Sequence, residues 1–259
     1  MRKQKLMTII AICVFSFLFL PLILIVVTSF GTAAAIQFPI KGFTLDWYVN
    51  ALRLKTMMDS FKLSLLIGIL ATVLALIVGI PASYALARYS MKGNQWIKSF
   101  FLSPTVIPGI VVGYTLFQFI VVALGLPVFQ GLLIGHFLIS LPYIIRVVGS
   151  SMDQLDYSME EAAWTLGCTR LKAFTKVVLP NVSSGIFAAF MLAFVNSFNN
   201  VPVSMFLSGP GVTMLPTNLL SYMEYNYDPT VSAISVMLML LTIGLMYLIE
   251  KTLGLVAIA

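Results

Sequence analysis

Residues 184–207 read SGIFAAFMLAFVNSFNNVPVSMFL, and these 24 residues contain no charged side chain. A helix needs about 20 apolar residues to cross the hydrocarbon core of a bilayer. No water is present at that depth, so the backbone must satisfy its own hydrogen bonds, and a helix does so within one segment. The stretch is therefore predicted to be a transmembrane helix.

The composition of the whole chain supports the same class of protein. Of its 259 residues 60% are hydrophobic and 9% are charged, and the mean hydropathy is +1.02. A soluble domain carries about 25% charged residues, so an ordinary soluble enzyme and a disordered chain are both excluded. The two cysteines form no disulfide framework. The net charge of +6 is interpreted as a basic cytoplasmic rim and not as a nucleic-acid site.

Six stretches are long and apolar enough to span a membrane, which predicts an all-α membrane protein with six transmembrane helices: residues 6–30, 61–87, 100–124, 128–148, 184–207 and 231–249. Small residues at 33–35 follow the first stretch, as they would after a signal peptide. The apolar part of a signal peptide has about 7–15 residues, whereas this stretch has 25. We therefore favour a retained helix over a cleaved leader.

The distribution of lysine and arginine predicts that both termini are cytoplasmic. Outer segments then hold four of these residues, Lys41, Arg53, Lys55 and Lys62, and inner segments hold eleven, Arg2, Lys3, Lys5, Arg88, Lys92, Lys98, Arg146, Arg170, Lys172, Lys176 and Lys251. Residues 31–60 form an outer loop in which 45–58 are predicted to be an interfacial helix. Residues 149–183 form the longest inner segment. We interpret residues 1–259 as a single domain.

The inner segment carries the pattern of a short helix. Ser158 and Glu161 have the spacing of a capping box, and Glu160 adds a second acid at the positive end of the helix dipole. Gly167 is suited to a left-handed helix stop. A second short helix is predicted over residues 169–178, ending at Leu179 and Pro180. From these features alone the segment is either a plain connection or a docking element for a cytoplasmic partner.

The order Glu161-Ala162-Ala163, three residues, Gly167, nine residues, Val177-Val178-Leu179-Pro180 resembles the EAA loop of ATP-binding-cassette importer permeases. It departs from that motif only in Val177, where the family has Ile. The resemblance covers essentially the whole chain and is strongest to the spermidine/putrescine type of permease. Residues 42–48, 208–210 and 215–216 also resemble segments of that group.

The resemblance implies a type I importer permease fold in the bacterial plasma (inner) membrane. It implies that the loop forms a coupling helix seated on an ATPase subunit, with these residues in that role: Glu160, Glu161, Ala162, Ala163, Gly167, Leu179 and Pro180. The implied partners are two ATP-binding subunits that hold ATP–Mg, a second and non-identical permease, and an extracytoplasmic solute-binding protein. The chain has no phosphate-binding loop and no cluster of metal-ligand type. We therefore expect no catalysis, no cofactor and no metal in this chain.

A polar cluster in residues 184–207 is a candidate solute path. Asn196, Asn199 and Asn200 are spaced i, i+3 and i+4, so a continuous helix would place them on one face, which Ser204 would extend. Pro202 would bend that helix. Interhelical hydrogen bonding is the alternative role. Tyr114 and Gln118 share a face of the third span and are further candidates, whereas His136 is interpreted as a structural, hydrogen-bonded histidine.

The identity of the solute stays open between two classes. The resemblance points to polyamines, but permeases of that group often show an acidic pair where this chain has Asn199 and Asn200. A polycation in a low dielectric is stabilised by fixed negative charge, which two amides do not supply. A zwitterionic solute such as an opine, a betaine or an aminophosphonate fits as well. A secondary carrier, a channel, a scaffold and a membrane enzyme are weaker alternatives, because no intramembrane carboxylate relay or reactive cluster is visible.

Overall fold

The computed structural model describes residues 2–89 and 93–253, and every regular element in these ranges is helical. Lys92, which was assigned to the inner side, and the C-terminal residues 254–259 lie outside the described part. The helices are α1 (Arg2–Thr28), α2 (Asp46–Arg53), α3 (Lys55–Arg88), α4 (Asn94–Leu102), α5 (Gly109–Leu116), α6 (Val128–Gln154), α7 (Ser158–Thr165), α8 (Arg170–Ala173), α9 (Leu179–Asn181), α10 (Ser183–Phe198), α11 (Val201–Phe206), α12 (Leu215–Tyr225) and α13 (Thr230–Leu253).

Within the described residues, three helices are long and apolar enough to cross a membrane by themselves, namely α1, α3 and α6. Two further spans are possible if each of two bent helix pairs crosses the membrane as a unit, which would raise the number to five. One pair lies around residues 106–108 and bends by 103°, so the third predicted span is not a straight helix. The other joins α8–α9 to α10 with a bend of 69°. The helical membrane class is thus confirmed, while the count of six spans and the cytoplasmic termini stay predictions.

The described residues group into two compact units, 1–59 with 218–259, and Ser60–Thr217. This grouping does not test the single-domain interpretation, which stays a prediction. In the first unit, Thr28 Oγ1 on α1 donates to Ser232 Oγ on α13 at 3.3 Å, and Asn50 Nδ2 on α2 donates to Thr230 Oγ1 at 3.0 Å. These polar contacts fix α2 and the ends of α1 and α13.

The second unit is built on α6, which packs along α10 and buries two apolar clusters. The shorter helices α5 and α11 cross closely. A Cβ placed on Gly113 of α5 would lie 2.7 Å from the Pro202 carbonyl oxygen, which is far below normal contact distance. Glycine is therefore required at residue 113 for α5 to approach the start of α11.

Several predicted boundaries were wrong for local reasons. The outer loop ends at Leu54 and not at residue 60, because α3 begins at Lys55, and the predicted interfacial helix shortens to α2. The inner segment begins at Leu155, since α6 continues to Gln154, and it ends at Val182 before α10. The segment between α11 and α13 contains the eleven residues of α12.

Candidate functional site

The helix α7 begins differently from the prediction. Its N-cap residue is Tyr157, so Ser158 lies inside the helix and no capping box forms. Asp156 stabilises the start of the helix instead, because its Oδ1 accepts a hydrogen bond from the Ser158 backbone N–H at 2.9 Å. Hydrogen bonds from the backbone and side chain of Ser158 lower the pKa of the exposed Asp156 carboxyl.

The end of α7 has the geometry that the sequence predicts. Gly167 adopts φ +86°, in the left-handed region. The Cys168 N–H donates to the Ala163 carbonyl at 3.0 Å and the Gly167 N–H donates to the Trp164 carbonyl at 2.9 Å, which is a Schellman-type ending. A Cβ on Gly167 would meet nothing within 4 Å. The left-handed backbone conformation therefore favours glycine at this turn. The position itself faces open space in this chain.

The coupling residues fall on two faces of α7. Glu161 and Ala162 are exposed, whereas Glu160 and Ala163 are buried against the rest of the unit. Leu166 follows directly after the helix and is 87% exposed. We call Glu161, Ala162 and Leu166 the outer face of α7.

The second short helix forms, but as a composite. α8 starts after Thr169, whose Oγ1 caps it by accepting from the Lys172 N–H at 3.3 Å. The chain then widens into a short π-helical segment at Phe174–Val178 and continues as α9. Leu179 is half-buried and Pro180 is exposed in the first turn of α9. The helix was predicted to end at Leu179 and Pro180, whereas α9 ends one residue later, at Asn181.

Glu160 has a position that its sequence neighbours do not indicate. Its Oε2 lies 3.3 Å from Arg88 Nε at the end of α3, and its Oε1 accepts a hydrogen bond from the Tyr84 hydroxyl. The Arg88 guanidinium also lies 5.0 Å from the centroid of the Tyr157 ring. The sequence reasoning missed this pairing, because Arg88 and Glu160 are 72 residues apart and no local spacing connects them.

The fifth span is interrupted exactly where its amides cluster. α10 ends at Phe198, and α11 begins at Val201. Asn200 is the N-cap of α11, with its Oδ1 accepting from the Val203 N–H at 3.0 Å. Pro202 lies in the first turn of α11, where its missing N–H costs nothing. The predicted continuous face of three asparagines was therefore wrong, because the Asn200 side chain competes for backbone hydrogen bonds.

A cavity of about 190 Å³, open to solvent, lies beside this break, with Asn196, Asn200 and Tyr143 as its larger polar lining residues. The Tyr143 hydroxyl donates to Asn196 Oδ1 at 3.2 Å. Asn199 is exposed and is not among the lining residues. The structure thus brings two of the three predicted asparagines to one cavity, and its lining contains no charged residue.

The other predicted path residues lie elsewhere. Ser204 is fully buried, and its Oγ forms a hydrogen bond with His136 Nε2 at 3.3 Å. The other ring nitrogen, His136 Nδ1, bonds Ser197 Oγ at 2.8 Å, which confirms the interpretation of His136 as a bonded, buried histidine. Gln118 Nε2 donates to the exposed Tyr114 hydroxyl at 3.1 Å, and this pair does not line the cavity.

The long apolar helices are those of a multi-pass membrane protein. The fold is similar to that of a chain in the crystal structure of a bacterial ABC transporter involved in the import of alginate, with a TM-score of 0.74, 19% identity and 96% of each chain covered. It is also similar to a chain of the MetNI methionine ABC transporter in an inward-facing form, with a TM-score of 0.59 and 20% identity over 76% of this chain and 92% of that chain.

Residues 76–253 match the family described as the binding-protein-dependent transport system inner membrane component, and this chain belongs to that family. It is 31% identical to the putrescine transport system permease protein PotI of Escherichia coli, over 87% of this chain and 82% of the relative. It is 30% identical to the spermidine/putrescine permease PotC of Haemophilus influenzae, over 91% of each. The chain is thus an inner-membrane permease subunit of an ABC importer and not an enzyme.

Proposed function

We propose that this chain forms half of the translocation path of an ATP-driven importer for a small polar amine, with polyamines as the first solute class to test. The outer face of α7, presented by the left-handed turn at Gly167, is the observation that carries the coupling part of this proposal. A short helix that is already formed loses little conformational freedom when a partner binds. The solute class is supported by the relatives named for putrescine and spermidine transport.

The proposed assembly contains two ATP-binding subunits that bind ATP–Mg, a second and non-identical permease, and an extracytoplasmic solute-binding protein. The outer face of α7 would sit on an ATP-binding subunit. Small side chains at Ala162 and Gly167 allow close approach of the two backbones. The free energy for transport is supplied from outside this chain.

A zwitterionic solute is the second candidate, and the neutral cavity beside Asn196 and Asn200 favours it. Amides and a tyrosine hydroxyl offer both hydrogen-bond donors and acceptors, which suits a solute carrying both charges. A di- or trication would find no carboxylate in this lining. Competition for uptake by micromolar spermidine would contradict the zwitterionic alternative and support polyamine transport.

The deciding experiment is ATP hydrolysis by the complete complex in proteoliposomes. Binding proteins loaded with putrescine, spermidine or a betaine are added one at a time. Stimulation by one loaded protein supports the importer and identifies the solute class. Absence of an ATPase subunit from the purified complex, or of stimulation by any solute, would contradict the proposal.

A matched pair of glycine variants tests the coupling role of the loop. Gly167→Asp should lower stimulated hydrolysis and uptake by about tenfold or more, the range of typical coupling free energies. Gly93→Asp is the control, because Gly93 also has a left-handed φ of +89° and open space around it but lies outside the loop. Equal losses in both variants would show a general backbone defect and would remove the specific role of Gly167.

A further inference from the structure

The buried side of α7 is attached to the cytoplasmic end of α3 by a network of polar contacts. Arg88 forms the ion pair with Glu160 at 3.3 Å and donates from Nη2 to the Leu155 carbonyl at 3.3 Å. Tyr84 donates to the second oxygen of Glu160. Tyr84 and Arg88 are four residues apart and therefore share one face of α3.

Aromatic contacts extend this attachment to both sides of α7. The Arg88 guanidinium lies over the Tyr157 ring before the helix, and the Tyr84 ring meets the Phe174 ring after it, with centroids 4.8 Å apart. The two α3 side chains thus contact the segment before α7, the helix itself and the segment after it. We call Tyr84, Arg88 and Glu160 the α3–α7 clamp.

The ion pair of the clamp is shielded from water. The Arg88 side chain is 9% exposed and that of Glu160 is 1% exposed. The next residue along the helix, Glu161, points the other way and is exposed. Two adjacent glutamates of one motif therefore have opposite environments, and only Glu161 is available to a partner subunit.

We propose that Glu160 is a positioning residue that transmits movement of α7 to α3, while Glu161 belongs to the surface that meets the ATPase. This inference rests on the proposed coupling function. Separating Glu160 from Arg88 would leave two unpaired charges in a shielded environment, which is strongly unfavourable, so the ion pair resists movement of α7 away from α3. The clamp therefore makes α3 follow α7 in both directions of the transport cycle.

The consequence for transport depends on the length of α3. Its 34 residues span about 50 Å at 1.5 Å per residue, enough to reach from the inner surface across the predicted membrane. A displacement of α7 by the ATPase is thus delivered to one end of a helix that continues toward the outer side. Loss of the clamp would leave the ATPase able to move α7 without moving α3.

The test compares Glu160→Gln with Glu161→Gln in the complete reconstituted complex, measuring solute imported per ATP hydrolysed and normalising to assembled complex. Gln is close in size to Glu and keeps an oxygen for Tyr84, but it removes the charge that pairs with Arg88. We expect Glu160→Gln to lower the transport-to-hydrolysis ratio by about tenfold while hydrolysis continues, within the usual range of coupling changes. Tyr84→Phe should lower it by about threefold. Glu161→Gln should instead weaken copurification of the ATPase.

A second variant separates coupling from folding. Arg88→Met with Glu160→Leu removes both charges and leaves no unpaired ion in the protein interior, so assembly should be retained. The inference predicts that this double variant assembles and remains uncoupled. A normal transport-to-hydrolysis ratio in the double variant would overturn the inference and reduce the clamp to a packing contact.

A distance measurement supplies a direct readout of the linkage. Spin labels at Ile77→Cys on α3 and Met159→Cys on α7, both exposed positions, are introduced after Cys13 and Cys168 are changed to Ser. We expect the distance between the labels to stay constant on nucleotide binding when the clamp is intact and to change when Glu160→Gln is present. An unchanged distance in both would overturn the inference.

If Glu160→Gln couples normally while Gly167→Asp does not, the clamp inference fails and the proposed function stands. If wild-type hydrolysis responds to no solute, the proposed function itself fails.

Discussion

The turn at Gly167 and the interruption at Asn199–Asn200 are both helix breaks in predicted functional segments, but they have different physical causes. At Gly167 the break depends on backbone freedom, since a left-handed φ is accessible to glycine at little cost. At Asn200 the break depends on a side-chain oxygen that captures the Val203 N–H. The apolar stretch around Asn199 and Asn200 was expected to form one helix that continues through both residues.

This difference separates two kinds of signal. Glycine acts through its own backbone, so its effect is readable from one position. Asparagine acts only if the surrounding structure lets its side chain reach a backbone group, and the same residue is otherwise compatible with a continuing helix. The two breaks also differ in their surroundings, because Gly167 faces open space while Asn200 lines a cavity.

The largest expected effect comes from replacing glycine at the inner turn with a β-branched residue. Gly167→Val should lower ATP-driven uptake per assembled complex by about tenfold or more, because valine strongly disfavours the left-handed region. Gly167→Asn should lower uptake less than Gly167→Val does, since asparagine tolerates that region. The measurement is solute uptake into proteoliposomes. Similar uptake by both variants would show that the left-handed turn is dispensable for coupling.

A smaller effect is expected from adding charge to the cavity. Asn200→Asp keeps a good helix cap and places a carboxylate in a lining that lacks charge. Uptake of spermidine relative to a betaine should rise by about threefold, which corresponds to a weak, partly screened charge interaction. Asn199→Asp is the control, because Asn199 is exposed and outside the lining. An equal rise in both variants would indicate general electrostatic attraction and not a path through this cavity.

The parts of the fold that the sequence predicts are those governed by local composition. The apolar stretches became long helices in α1, α3 and α6, and Gly167 ended α7 as expected. The parts that failed depend either on a contact between distant segments or on a local side-chain cap, such as that of Asn200 on the Val203 N–H. The Arg88–Glu160 pair joins residues that no helical spacing relates. The cavity collects Asn196 and Asn200 without Asn199, which a continuous helical wheel does not allow.

The smallest expected effect comes from removing the Asn200 side chain. This substitution distinguishes the role of Asn200 as a helix cap from its role as a lining residue of the cavity. Asn200→Ala removes the cap of α11, and loss of such a cap costs about 1 kcal/mol. For a protein of this size that corresponds to a fall in Tm of about 2–4 °C, measured by thermal unfolding in detergent. Asn199→Ala should leave Tm nearly unchanged, because Asn199 is exposed and its side chain caps nothing in the described structure. If Asn200→Ala lowers uptake while Tm is unchanged, Asn200 serves the solute path and not the start of α11. If Tm falls and uptake per folded complex persists, the break at Asn199–Asn200 is a structural feature beside the path, unlike the turn at Gly167.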